Sequence, residues 1–285
     1  MNSSLPNKQK VVLSRRHFLY LAGAGSLAFL VGCASNPVTG RPQLMLVSEE
    51  REIEVDRENS PHQISADYGR VQDHALNDYV ASVGSEVAKQ SHRPDMPYSY
   101  NVLNATYVNA YAFPAGTIGV SRGILLNMDN EAELASLIGH EVGHVSARHT
   151  AQRMSQGILT SVALTGLVVA AEPEWEQVVG GLGSIGAGAL LASYSRSQER
   201  EADKLGLQYM AKAGYNPRGY VGLMEMLQEM SHKEKSFLQV LFSTHPMSRE
   251  RYKTAVERAD EYSNRNKPVY RERYMDNTAS LRRIR

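Results

Sequence analysis

Residues 140 to 144 read HisGluValGlyHis, and two imidazoles four positions apart can face one point only if the backbone between them is an α-helix. The flanking sequence agrees. Asn130 followed three residues on by Glu133 forms a capping box, and the apolar run Leu134, Leu137 and Ile138 comes next, which predicts a helix from there to about Met154. A pair of ring nitrogens on one helix cannot enclose an ion alone, so the fold must bring a further ligand to the same point from elsewhere in the chain.

On such a helix His140 and His144 each give a nitrogen to one zinc ion. Glu141 is rotated by about 100° from His140, so its carboxylate reaches a water held at the metal instead of the metal itself. These are the parts of a zinc hydrolase. The ion lowers the pKa of water and polarises a carbonyl, while Glu141 takes the proton and returns it to the leaving amine.

His149 is the tempting third ligand. On a continuous helix it lies about 140° around from His144 and turns away. It also misses the spacing HisGluXaaXaaHisXaaXaaGlyXaaXaaHis, because position 147 is Ala and 150 is Thr, so a surface role is expected for it. A carboxylate from a second helix is the expected ligand instead. The stretch SerGlnGluArgGluAlaAspLysLeuGly at 197 to 206 offers Glu199, Glu201 and Asp203. Glu199 and Asp203 are four apart and share a face, whereas Glu201 is about 200° from Glu199 and is expected to point to solvent.

Around these motifs the chain reads as mainly helical, α+β. Leu76, Val80, Val83 and Val87 mark one face of a helix within 71–90, and a charged helix candidate runs from Ser48 to about Glu58. Tyr98 to Val108 alternates as a strand and Thr117 to Ser121 as a second, with Pro114 and Gly116 marking a turn or sheet edge between them. Later helices are expected over Ser197–Ala213, ended by Gly214, and over Pro217–Met230 with Tyr220, Leu223, Leu227 and Met230 on one face. Residues 157–195 are Gly-rich and apolar, which suggests a helical hairpin that is buried or faces a membrane. From Pro268 the sequence is Arg-rich without periodicity, so 266–285 is expected as a loose basic tail after a domain spanning 48–265.

The first 32 residues are of a different kind. Arg15 and Arg16 precede Phe18 and Leu19 and an uncharged run that ends LeuValGlyCys at the only cysteine, Cys33. This reads as an export signal over 1–32, with a twin-arginine-like start and a lipobox that makes Cys33 the lipidation site; a simple transmembrane anchor is the alternative. Residues 33–47, punctuated by Pro and Gly, then form a lipidated N-terminus and linker. Cleavage would take four cations and no acid from a net charge of +1, leaving −3. Neither value supplies the basic field that nucleic acid requires, so no nucleic-acid partner is expected.

HisGluValGlyHis followed by GluArgGluAlaAsp at 199 to 203 resembles the membrane-associated zinc endopeptidases that include the CAAX prenyl protease, the heat-shock protease HtpX and outer-membrane lipoprotein peptidases. The resemblance covers roughly residues 36 to 262 and implies a zincin-like domain with a small edge sheet beside the helix of the two histidines. It makes Glu199 the third zinc ligand and Asp203 the partner that orients a ligating histidine, His140. By the same resemblance Asn109, Ala110, Tyr111 and Ala112 line a groove that takes substrate backbone by strand addition. SerThrHisPro at 243 to 246 and Arg251 carry it further: His245 and Arg251 approach the metal and steady an oxyanion, or His245 fills the open position and holds the enzyme off. The implied protein is a zinc endopeptidase of the bacterial envelope, periplasm-facing and lipid-anchored to the outer membrane, with unfolded or misassembled envelope proteins as substrates and the envelope assembly machinery as a possible partner. A zinc-containing peptide-binding chaperone without catalysis is the alternative.

Overall fold

The structure is a computed structural model that describes residues 33–169, 192–233 and 235–283. The proposed signal peptide, 1–32, and residues 170–191 of the apolar stretch lie outside these. Helix α4, Glu131–Ser146, is the axis of the molecule, and every one of its residues is buried. Asn130 caps it as the sequence predicts, its Oδ1 accepting the Glu133 N–H at 3.1 Å, whereas Glu133 Oε2 accepts the N–H of Asp129 at 2.7 Å instead of that of Asn130, so the capping box is half formed.

The elements before α4 are the hairpin β1 (Cys33–Ser35) and β2 (Pro42–Leu44), helices α1 (Glu49–Ala66) and α2 (His74–Ala88), strands β3 (Ser99–Leu103), β4 (Ala110–Ala112) and β5 (Thr117–Ser121), and the short α3 (Arg122–Asn127). After it come α5 (His149–Val169), α6 (Arg196–Lys212), α7 (Arg218–Lys233), α8 (Lys235–Thr244), α9 (Arg249–Ala259) and α10 (Arg271–Asn277). The architecture is α+β and mainly helical. In the three-stranded sheet β5 is central, parallel to β3 and antiparallel to β4, so β4 is an edge. The sheet packs beside α2 and α4, and Leu76, Val80, Val83 and Val87 are buried in the shared core.

Helix α4 packs most extensively against α6, and three glycines set how closely. A Cβ on Gly206 would meet His140 N at 2.6 Å, one on Gly139 would meet Gly206 O at 2.8 Å, and one on Gly143 would meet Ala202 O at 2.9 Å. The helices therefore touch backbone to backbone opposite the two motifs.

Four expectations need correction. The helix of the two histidines does not run to Met154: it stops at Ser146, and Arg148 takes a left-handed conformation with φ 57° before α5 begins. That turn costs about 1–2 kcal/mol for a residue with a Cβ, and it is held by burial of the arginine. Arg148 Nη2 donates to Val47 O at 2.8 Å, and its Nε lies 3.2 Å from the Glu52 carboxylate, which also binds Arg93 at 2.7 Å. Second, the strand begun near Tyr98 ends at Leu103 and not at Val108, while β4 forms as a sheet edge just ahead of Pro114.

Third, residues 33–47 are not a free linker. β1 pairs with β2, Leu46 N donates to Ser155 Oγ at 2.9 Å, and Met45 and Val47 pack with Val55 and Met154. Fourth, the basic C-terminus is docked rather than loose. Tyr274 is fully buried and donates to Leu125 O at 2.6 Å, Arg273 pairs with Glu131 at the start of α4, and Leu281 is buried. A few anchoring side chains suffice here, so no helical period is needed. Among the described residues no helix is long and apolar enough to cross a membrane.

Gly206→Val should overpack the α4–α6 contact and lower stability by at least about 1–3 kcal/mol. Urea unfolding with a metal chelator present measures this, and an unchanged midpoint would refute the close-contact reading.

Candidate metal centre and active site

α4, α6 and the end of α8 converge on one point. Four groups have ligand atoms within 4.8 Å of one another there: His140, His144, Glu199 and His245. Two ring nitrogens on α4, His140 Nε2 and His144 Nε2, are 3.1 Å apart. Glu199 enters from the first turn of α6, whose start is fixed by a full capping box between Ser195 and Gln198. Its Oε1 lies 3.4 Å from His144 Nε2, and its Oε2 lies 3.6 Å from His140 Nε2. His245 Nδ1 is 3.0 Å from Glu199 Oε1 and 3.4 Å from His140 Nε2.

These separations fit one ion. Ligands at a zinc–nitrogen distance of 2.0–2.1 Å in a tetrahedron are about 3.3 Å apart, and the observed contacts lie between 3.0 and 3.6 Å. Nitrogen and carboxylate donors are also the set zinc takes. Beside them is an orphan: Glu141 is 1% exposed, its Oε2 is buried without a hydrogen-bond partner, and its Oε1 is 3.9 Å from His245 Nε2. Burial pushes the Glu141 carboxyl above its ordinary range, opposed in part by His245 and His140.

A second layer holds the ligands. His140 Nδ1 is 2.9 Å from Asp203 Oδ1, the pair that the family resemblance implies. Arg251, in the first turn of α9, binds Asp203 through Nε at 2.7 Å and Nη2 at 2.6 Å, and reaches Glu199 through Nη1 at 2.7 Å. Burial acts to raise both carboxyls, but the cation of Arg251 and the hydrogen bond from His140 hold Asp203 below its ordinary range, while His245 and His144 do the same for Glu199. Arg251 is thus engaged by two carboxylates rather than left free to meet an oxyanion.

The expected surface role of His149 is wrong. The left-handed turn at Arg148 swings it back, so it is fully buried and its Nδ1 sits 2.9 Å from His144 Nδ1. Glu201 does not simply face solvent either, since its Oε2 is 3.3 Å from His149 Nε2. Tyr194 was not singled out from sequence, yet its ring stacks on His144 with centroids 3.7 Å apart. Only tertiary packing brings it there: Tyr194 N donates to Thr244 O at 2.9 Å, and Arg153 lies over the other face of the ring.

Of the four groove residues, Ala110 to Ala112 form β4, the sheet edge packed near α4, and Asn109 is buried just ahead of it. On the other side of Glu141 lies an apolar cavity walled by Leu223, Met224, Leu227, Leu241 and Phe242.

With this geometry on view, residues 74–259 match Peptidase family M48. The chain belongs to that family. It is 27% identical to the beta-barrel assembly-enhancing protease of Yersinia pestis over 205 residues, covering 70% of this chain and 42% of that protein. It is 34% identical over 166 residues to the mitochondrial metalloendopeptidase OMA1 of Arabidopsis thaliana, covering 58% of this chain and 32% of the relative. Metalloprotease YcaL of Escherichia coli is 32% identical over 155 residues, 54% of this chain and 59% of that one. The chain spans about two fifths of the length of the assembly-enhancing proteases it matches. It carries the zinc metallopeptidase domain of M48, and zinc is the ion its donor set suits.

Glu199→Ala should lose zinc outright, and Asp203→Ala should bind it about 10 to 100-fold more weakly. Elemental analysis and competition with a chromogenic chelator read both; full zinc retention by Glu199→Ala would exclude it as a ligand.

Proposed function

We propose that this chain is an exported, lipid-anchored zinc endopeptidase that hydrolyses peptide bonds in unfolded or misassembled envelope proteins. The observation that carries the catalytic part is the buried carboxylate of Glu141, its Oε2 without a hydrogen-bond partner, beside the cluster of His140, His144, Glu199 and His245. Zinc, when bound, supplies Lewis acidity to the scissile carbonyl and makes water acidic enough to attack at neutral pH. Glu141 takes the proton from the attacking water and passes it to the departing amine. Its burial, which favours the protonated form, suits it to hold that proton between the two steps.

The unpaired edge of β4 suits an extended peptide, which would add as a further strand and place its backbone across the site. That mode selects chains able to become extended, hence unfolded or unassembled ones. The name of the Yersinia pestis relative, a beta-barrel assembly-enhancing protease, points the same way, toward bacterial envelope proteins as substrates and the envelope assembly machinery as partner. The lipobox before Cys33 supports an anchor in the outer membrane with the domain facing the periplasm.

A second reading rests on His245. Its Nδ1 lies within the donor set, in the place where an enzyme keeps a position open. In that state the protein binds peptide without cutting it, as a chaperone would. Glu141→Gln should keep zinc near the wild-type content and abolish cleavage of unfolded casein; equal behaviour of the two proteins would sink the catalytic reading. His245→Ala should retain zinc and cleave casein faster, whereas slower cleavage would show that His245 assists the reaction instead of blocking it.

A further inference from the structure

We infer that His149 and Glu201 form a positioning pair for the zinc ligand His144, the counterpart of Asp203 and Arg251 for His140; this rests on the zinc-site reading above. His144 turns Nε2 toward the other donors, 3.4 Å from Glu199 Oε1. Its ring proton must then sit on Nδ1. Among the described residues the ring nitrogen facing that atom is His149 Nδ1 at 2.9 Å, and two nitrogens at that distance share one proton, so His149 Nδ1 accepts. The proton of His149 is thereby placed on Nε2, which donates to Glu201 Oε2 at 3.3 Å. A single direction of donation runs from His144 through His149 to Glu201, and it fixes both tautomers.

Both ligating histidines therefore end on a carboxylate, one directly and the other through a second imidazole. The hydrogen bond raises the basicity of the ligand and sets its ring plane. Rotation about the ring axis is limited as well, because Tyr194 stacks on His144 at 3.7 Å. His149 reaches this place only because Arg148 is left-handed, and Arg148 is held there by Glu52 and Val47 O. The sequence distance from Glu52 on α1 to the ligand is thus bridged by one buried turn.

The test compares His149→Phe, which fills the volume without an acceptor, with His149→Asn, whose Oδ1 takes the place of Nδ1, and with Glu201→Leu at the partly exposed end. Zinc affinity is measured by chelator competition, and the visible spectrum of the cobalt-substituted protein reports ligand geometry. His149→Phe should bind zinc about 10 to 100-fold more weakly with altered cobalt bands. His149→Asn should regain most of the affinity and the wild-type bands, and Glu201→Leu should weaken zinc less than His149→Phe does. If His149→Phe binds zinc as wild type does, or if His149→Asn is as weak as His149→Phe at equal thermal stability, the positioning role is wrong. Should His149→Phe fail to fold, Glu201→Leu decides alone, and wild-type affinity in it overturns the inference. Absence of zinc from the wild-type protein would instead refute the metal site itself.

Discussion

Backbone contact between α4 and α6 is the constraint on which the rest depends. Gly139 and Gly143 lie on the helix of the two histidines, and Gly206 lies opposite on the helix of Glu199. With side chains at these positions the helices would separate, and a carboxylate has only two methylenes with which to follow. Donor atoms about 3 Å apart need their backbones fixed to a few tenths of an ångström, which packed helices provide and loops do not. The fully buried α4 then acts as a rod against which α2, α6, α7 and the sheet are each positioned.

Charge is arranged around the rod so that no buried carboxylate stands alone. Glu199 and Asp203 share Arg251, Glu52 has Arg93 and Arg148, and Glu131 has Arg273. Glu141 has no such cation and keeps one buried oxygen without a hydrogen-bond partner, an arrangement that is costly for a structural acid.

Much of the site could be read from local pattern. The N-cap at Asn130, the four-residue spacing of His140 and His144, and that of Glu199 and Asp203 are short-range features of helices, and the structure keeps each, although Glu133 turns to the Asp129 N–H instead of closing the capping box. His149 was assigned to the surface because a helix continued through Arg148 would turn it away from His144. Arginine carries no sign of a left-handed turn, and the groups that stabilise it, Glu52 and Val47 O, come from the N-terminal part of the chain. Tyr194 and Glu201 were missed or underrated for a related reason: what they touch is set by where α5 begins. The C-terminal segment shows the same limit, since Tyr274 and Arg273 anchor it by contacts that no periodicity announces.

The Arg148 turn also separates two kinds of boundary. The stretch that matches the family, 74–259, contains the whole His140, His144, Glu199 and His245 cluster, yet Glu52 lies before it and Arg273 after it. A fragment cut at those limits would keep the catalytic vocabulary and lose the punctuation. Arg93 and Arg148 would be left buried without their carboxylate, and Glu131 would be left without its cation at the start of the central helix. The stretch that matches the family is therefore smaller than the packed unit of this chain, to which the hairpin at Cys33 and the helix at Tyr274 also belong.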